Sequence, residues 1–144
     1  MAKTKEKPSS LGASSTAPVA HGVGRRKKTV ARVWLRKGNG KMTVNGRDYT
    51  EYFDTPFVQF NAMSPFRVCE QAKNYDAEVN ICGGGVCAQS DAVKLGVARA
   101  LVEIDELLKP ELRKNGLLTV DSRVKERKKY GQRGARRKFQ FVKR

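Results

Sequence analysis

Residues 76–108, DAEVNICGGGVCAQSDAVKLGVARALVEIDELL, change their apolar period half-way along. In DAEVNIC (76–82) Ala77, Val79 and Ile81 alternate with Asp76, Glu78 and Asn80, the two-residue period of a strand with one buried face. Beyond Gly83-Gly84-Gly85, the residues Val93, Val97, Leu101, Ile104 and Leu108 recur at steps of three or four. That spacing predicts one long helix over about 86–108, with the stripe packed on a core. The glycines relieve backbone crowding at a tight strand-to-helix crossover. They do not make a nucleotide cradle, because a P-loop needs Gly-Lys-Ser/Thr where the helix opens and Val86-Cys87-Ala88-Gln89 stands there instead. A phosphate of RNA held at the helix start is the alternative reading.

Working outward from this unit, TVARVWLR (29–36) alternates Val30, Arg32, Trp34 and Arg36 against Ala31, Val33 and Leu35. This predicts a strand with a basic, Trp-bearing face and an aliphatic one. Asn39-Gly40 is a hairpin turn signal, with KMTVN (41–45) as the returning strand and a second turn at Asn45-Gly46. Asp48 and Glu51 have capping-box spacing around a short helical turn. Thr55-Pro56 and Ser64-Pro65 predict two short helices, roughly 56–62 and 65–72. Pro110 opens a further short helix that Asn115-Gly116 ends. Strands and helices in this order give an α+β fold, a compact sandwich of helices on a β-sheet. The 144 residues suffice for one such domain. Three segments are expected: a disordered N-terminal extension (1–21), a globular domain (22–120) and an extended basic tail (121–144).

The net charge of +16 is distributed unevenly. Residues 24–41 hold eight basic side chains and no acid, 42–120 are slightly acidic, and the last 24 residues carry eleven Lys or Arg against Asp121 and Glu126. Lysine added for solubility alone would be spread over the surface; two concentrated blocks ask for a polyanion. The apolar runs fall far short of the roughly 18 residues of a membrane span, so a membrane is not the expected partner. The N-terminus has no apolar h-region for export. In the tail, Tyr130, Phe139 and Phe141 alternate with cations, and Gly131 and Gly134 allow close threading. Arginine forks suit phosphates and rings stack on bases, which favours RNA over duplex DNA.

Catalysis has little to stand on. The single histidine, His21, sits in the expected arm, leaving no base for a Ser or Cys nucleophile. Cys69, Cys82 and Cys87 with His21 do not make a credible closed zinc site, and reduced, packed thiols are the expectation. No enzyme activity, metal or cofactor is expected.

Three stretches resemble the universal small-subunit ribosomal protein number nine family, bacterial or organellar type. They are GVGRRKKTVARVWLRKGNGKMTVNGRDYTEYF (22–53), VNICGGGVCAQ (79–89) and LGVARALVEIDELLKPELRKNGLLTVDSRVKERKKYGQRGARRKFQFVKR (95–144). The resemblance implies a left-handed β-α-β crossover in a domain on the head of the small subunit. It implies rRNA contacts by Arg25, Arg26, Lys27, Lys28, Asn39 and Lys41 near the N-terminus. In the tail it implies rRNA contacts by Lys128, Lys129, Arg133, Arg136, Arg137 and Lys138. Lys143 and Arg144 would meet peptidyl-site tRNA. Val142 stands where the family usually has a small hydroxyl residue, and Gly134 where it is often basic. The implied partners are small-subunit rRNA, peptidyl-site tRNA and neighbouring proteins of the head, with no homo-oligomer. The implied location is the cytoplasmic ribosome, with an organellar ribosome as the alternative. Two other classes compete. A protein subunit of an RNA-processing enzyme on a similar crossover would carry an Arg-rich motif on a helix beside the crossover, and between 86 and 108 only Arg99 is found. A DNA-compacting protein would bind duplex DNA as tightly as rRNA.

Overall fold

The computed structural model describes residues 17–143. Its five strands are β1 (Ala20–Arg26), β2 (Thr29–Lys37), β3 (Met42–Val44), β4 (Arg47–Asp48) and β5 (Tyr75–Cys82). They form one sheet in the order β1-β2-β5-β3-β4, antiparallel except for the parallel pair β3/β5. The helices are α1 (Tyr49–Tyr52), α2 (Pro56–Val68), α3 (Val86–Ile104) and α4 (Lys109–Lys114). The chain between the parallel strands runs through α1 and α2, so it makes a β-α-β crossover. The α+β class expected from the sequence is the observed one.

The alternations predicted for β2 and β5 hold residue by residue. Ala31, Val33 and Leu35 are buried beside Ala77, Val79 and Ile81, while Arg32 and Glu78 are exposed. The α3 stripe Val93, Val97 and Leu101 is buried against this inner face, so the opposite face of the sheet is the one its polar residues occupy. Asp48 caps α1 by accepting the Thr50 N–H at 2.9 Å. Pro110 stands in the first turn of α4, and Gly116 turns away from it at φ +68°.

Four expectations are corrected. Asn39-Gly40 does not close a hairpin: β5 lies between β2 and β3. The loop instead wraps the start of β5, where the Asp76 carboxylate accepts the Asn39 and Lys41 N–H groups, each at 2.8 Å. The true hairpins are β1/β2, turning at Lys27 with φ +53°, and β3/β4, turning at Asn45-Gly46. Second, α2 is one helix running through Pro65, followed by a 3₁₀ turn at Glu70–Asn74. The Pro65 ring is buried with Ala62 and Phe66, and that packing offsets the lost backbone hydrogen bond. Third, α3 stops at Ile104, because Asp105 caps a separate 3₁₀ turn by accepting the Leu107 N–H. Fourth, His21 belongs to a strand, not to an arm. β1 begins at Ala20, the Val19 N–H already bonds to the Leu35 carbonyl, and the His21 ring lies 5.4 Å from that of Trp34. Residues 1–16 of the expected N-terminal extension, and Arg144, lie outside the described residues.

β1 is a strand that the apolar periods of the sequence do not predict. Its inner positions are Gly22 and Gly24, where a Cβ would collide with backbone atoms of Gly96 and Ala92 on α3. Ala92, Gly96 and Ala100 form a small-residue row at steps of four, so strand and helix meet nearly backbone to backbone. Among residues 121–143 there is no helix or strand.

Candidate nucleic-acid interface

The β1/β2 turn gathers the first basic block at one end of the sheet. Arg25 points to the outer face and is exposed; Lys27 and Lys28 form the exposed turn. Arg26, by the two-residue period, turns the other way, and its side chain is only 12% exposed. Its Nη2 lies 2.7 Å from Asp121 Oδ2, and its Nη1 donates to the carbonyls of Asp121 at 3.3 Å and Arg123 at 2.6 Å. On its other edge Asp91 of α3 stands at 3.7 Å. Asp91 in turn accepts from Asn61 of α2 at 2.8 Å, so the anchorage reaches both helices.

This contact brings the two basic blocks together, though about a hundred residues separate them in the chain. The tail passes the turn along a groove lined by Lys27, Lys28, Gly84, Val124, Lys125 and Glu126. The glycine run forms part of that groove and is shaped by the hairpin. Gly83 and Gly84 take φ of +75° and +69°, and the Thr29 hydroxyl donates to the Gly83 carbonyl at 3.2 Å. Gly85 then caps α3, as the tight-crossover reading requires.

Farther along, the tail folds back on itself. The Arg133 N–H donates to the Arg137 carbonyl at 2.9 Å, and the Lys129 N–H to the Gly134 carbonyl at 3.4 Å. Arg136 Nε donates to the two Glu126 oxygens at 3.1 and 3.0 Å, and the Arg133 guanidinium lies 5.2 Å from the centre of the Phe139 ring. Lys128, Arg137, Lys138 and Lys143 are exposed, as are Tyr130 and Phe141. Ion pairing among the described tail residues involves only Asp121, Arg123, Glu126 and Arg136, besides Arg26 from β1.

Asn39 and Lys41 are not brought to this region. They lie at the far end of β2, whose nine residues span about 30 Å. The side chains there are exposed, but the backbone is bound to Asp76. Between the two ends the outer face of the sheet carries Arg25, Arg32, Trp34 and Arg36, with Arg36 bonded to Glu78 at 3.1 Å. Among the described residues no helix is long and apolar enough to cross a membrane.

The sequence that builds this basic turn and basic tail is matched by the family model of ribosomal protein S9/S16 over residues 24–144. The chain belongs to that family. It is 51% identical over 126 residues to the small ribosomal subunit protein uS9 of Cytophaga hutchinsonii, covering 88% of this chain and 98% of the relative. The uS9 of Bacteroides fragilis is 48% identical over 126 residues, with the same shares covered. That of Thermus thermophilus is 49% identical over 124 residues, covering 86% of this chain and 97% of the relative. Membership makes the chain a structural constituent of the small ribosomal subunit rather than an enzyme. It is accordingly a ribosome-associated protein.

Proposed function

We propose that the chain binds small-subunit rRNA in the head of the subunit, and that the end of its tail contacts peptidyl-site tRNA. The observation that carries this reading is the junction at Arg26 and Asp121, which makes one continuous basic surface from two distant blocks. Arg25, Lys27 and Lys28 meet rRNA phosphates at its root. Lys128, Lys129, Arg133, Arg137 and Lys138 follow them along the tail, and Arg136 adds the Nη1 that Glu126 leaves open. Asn39 and Lys41 contact rRNA at a second place, beyond the far end of the sheet. Lys143 and Arg144 reach the tRNA backbone. Neutralised phosphates and released counterions drive the binding, and the tail's lack of helix or strand lets it follow an irregular groove. The protein acts as a single copy among neighbouring proteins of the head.

Ultraviolet crosslinking of intact subunits tests both parts. Peptides containing Lys27–Lys28 and Lys128–Lys129 should crosslink to small-subunit rRNA, and the C-terminal peptide to tRNA only when the peptidyl site is filled. A C-terminal peptide that never crosslinks to bound tRNA would refute the tRNA contact. Absence of rRNA crosslinks at the turn and tail would refute the rRNA interface.

A further inference from the structure

Asp121 and Glu126 are the two acids of the tail, set among eleven cations. Attraction to a polyanion would be greater without them, since each cancels one positive charge. Both are held in arginine forks. The Asp121 carboxylate accepts Arg123 Nε at 3.0 Å, Arg123 Nη2 at 2.7 Å and the Arg123 N–H at 2.9 Å, with Arg26 Nη2 at 2.7 Å on its other side. Arg26 also holds the tail backbone through the carbonyls of Asp121 and Arg123, and is itself fixed against Asp91. Five residues on, Glu126 accepts the Arg136 fork and closes a loop that Arg133–Arg137 and Lys129–Gly134 backbone bonds tighten.

We propose that Asp121 and Glu126 are positioning residues that shape the tail before it meets RNA. Asp121, with Arg26, sets the direction in which the tail leaves the body; Glu126, with Arg136, sets the fold of its middle. Arg26 therefore acts inside the protein as the anchor of the tail. Exposed ion pairs stabilise a folded domain little. A segment with no helix or strand of its own needs only a small bias, and any ordering done beforehand is removed from the cost of binding. This inference rests on the RNA-binding reading above.

Asp121→Asn and Glu126→Gln test it because charge and shape predict opposite signs. Each variant removes one negative charge at constant size, so a tail acting by charge alone would bind small-subunit rRNA more tightly. The expected result, with the full chain at matched salt, is rRNA binding weakened by about threefold to tenfold. Affinity for poly(U), which has no fixed fold, should be equal or higher. Trypsin should cut the tail of the free variants faster, with the fluorescence of Trp34 unchanged as a check on the body. Arg26→Gln combined with Asp121→Asn should weaken binding by less than the two separate losses added together, since both remove the Arg26–Asp121 pair. Equal or tighter rRNA binding by both acid variants would overturn the inference. Wild-type protein that binds poly(U) as well as rRNA would instead count against the specific rRNA-binding reading beneath it.

Discussion

A Cβ atom on Gly24 would lie 1.8 Å from the carbonyl oxygen of Ala92, which leaves no room for a side chain at that position between β1 and α3. The obstacle is helix backbone, so relief requires moving one element as a whole. Gly24→Ala should cost roughly 3 kcal/mol in urea unfolding of the full chain. Gly85→Ala, where nothing stands within 4 Å and φ is negative, should cost less than about 1 kcal/mol. Because β1 carries the basic turn, Gly24→Ala should also loosen the Arg26 anchorage.

Asp76 organises the loop that the Asn39-Gly40 signal seemed to assign to a hairpin. Its Oδ1 accepts two backbone N–H groups, and Gly38 presses against the same carboxylate. Asp76→Ala should destabilise the fold by about 1–2 kcal/mol. The change should appear first as faster hydrogen exchange at the Asn39 and Lys41 amides, with the Lys27–Lys28 turn unaffected.

These two sites show what was legible in the sequence. Strong periods in β2, β5 and α3 were readable because burial there is achieved with large aliphatic residues. β1 was not, because Gly22 and Gly24 achieve the same burial by having no side chain, and they leave no apolar signal. At Asn39-Gly40 only Gly40 takes a positive φ, of +84°, and no hairpin forms, because strand pairing is a long-range choice that Asp76 and β5 decide. Pro65 marked a helix start by local rules, and core packing overrode them. The basic blocks, and the expectation of a polyanion partner for them, followed from charge alone. That Arg26 faces inward while Arg25, Lys27 and Lys28 face out could not be read from GRRKK, where all four are equivalent until a partner such as Asp121 is placed.

The tail anchors should respond to acid with a definite sign. Hydrogen bonds from Arg123, side chain first and then backbone N–H, hold the Asp121 carboxyl far below the usual carboxylate range, with Arg26 adding to the effect. Arg136, and then the charge of Lys129, lower Glu126. Depressed values in the folded chain mean that the anchorage is complete above the ordinary carboxylate pKa of about 4 and is lost as pH falls through the lowered values. Carboxyl carbon shifts followed by NMR should show Glu126 titrating before Asp121, both later than in an unfolded peptide. An Asp121 carboxyl that titrates near 4 would contradict the fork.

The thiols should separate by exposure. Cys69 is buried, and desolvation, with the nearby Glu111 charge, pushes its thiol up. Cys82 and Cys87, which the sequence leads one to expect packed, are instead exposed on either side of the glycine run. Titration with a disulfide reagent should therefore modify two thiols quickly and the third only on unfolding.

The tip of the tail tests the functional reading most directly. Small subunits assembled with a chain ending at Val142 lack Lys143 and Arg144. Such subunits should incorporate the shortened protein at the wild-type level and hold peptidyl-site tRNA about tenfold more weakly. Unchanged tRNA affinity in fully assembled subunits would contradict it.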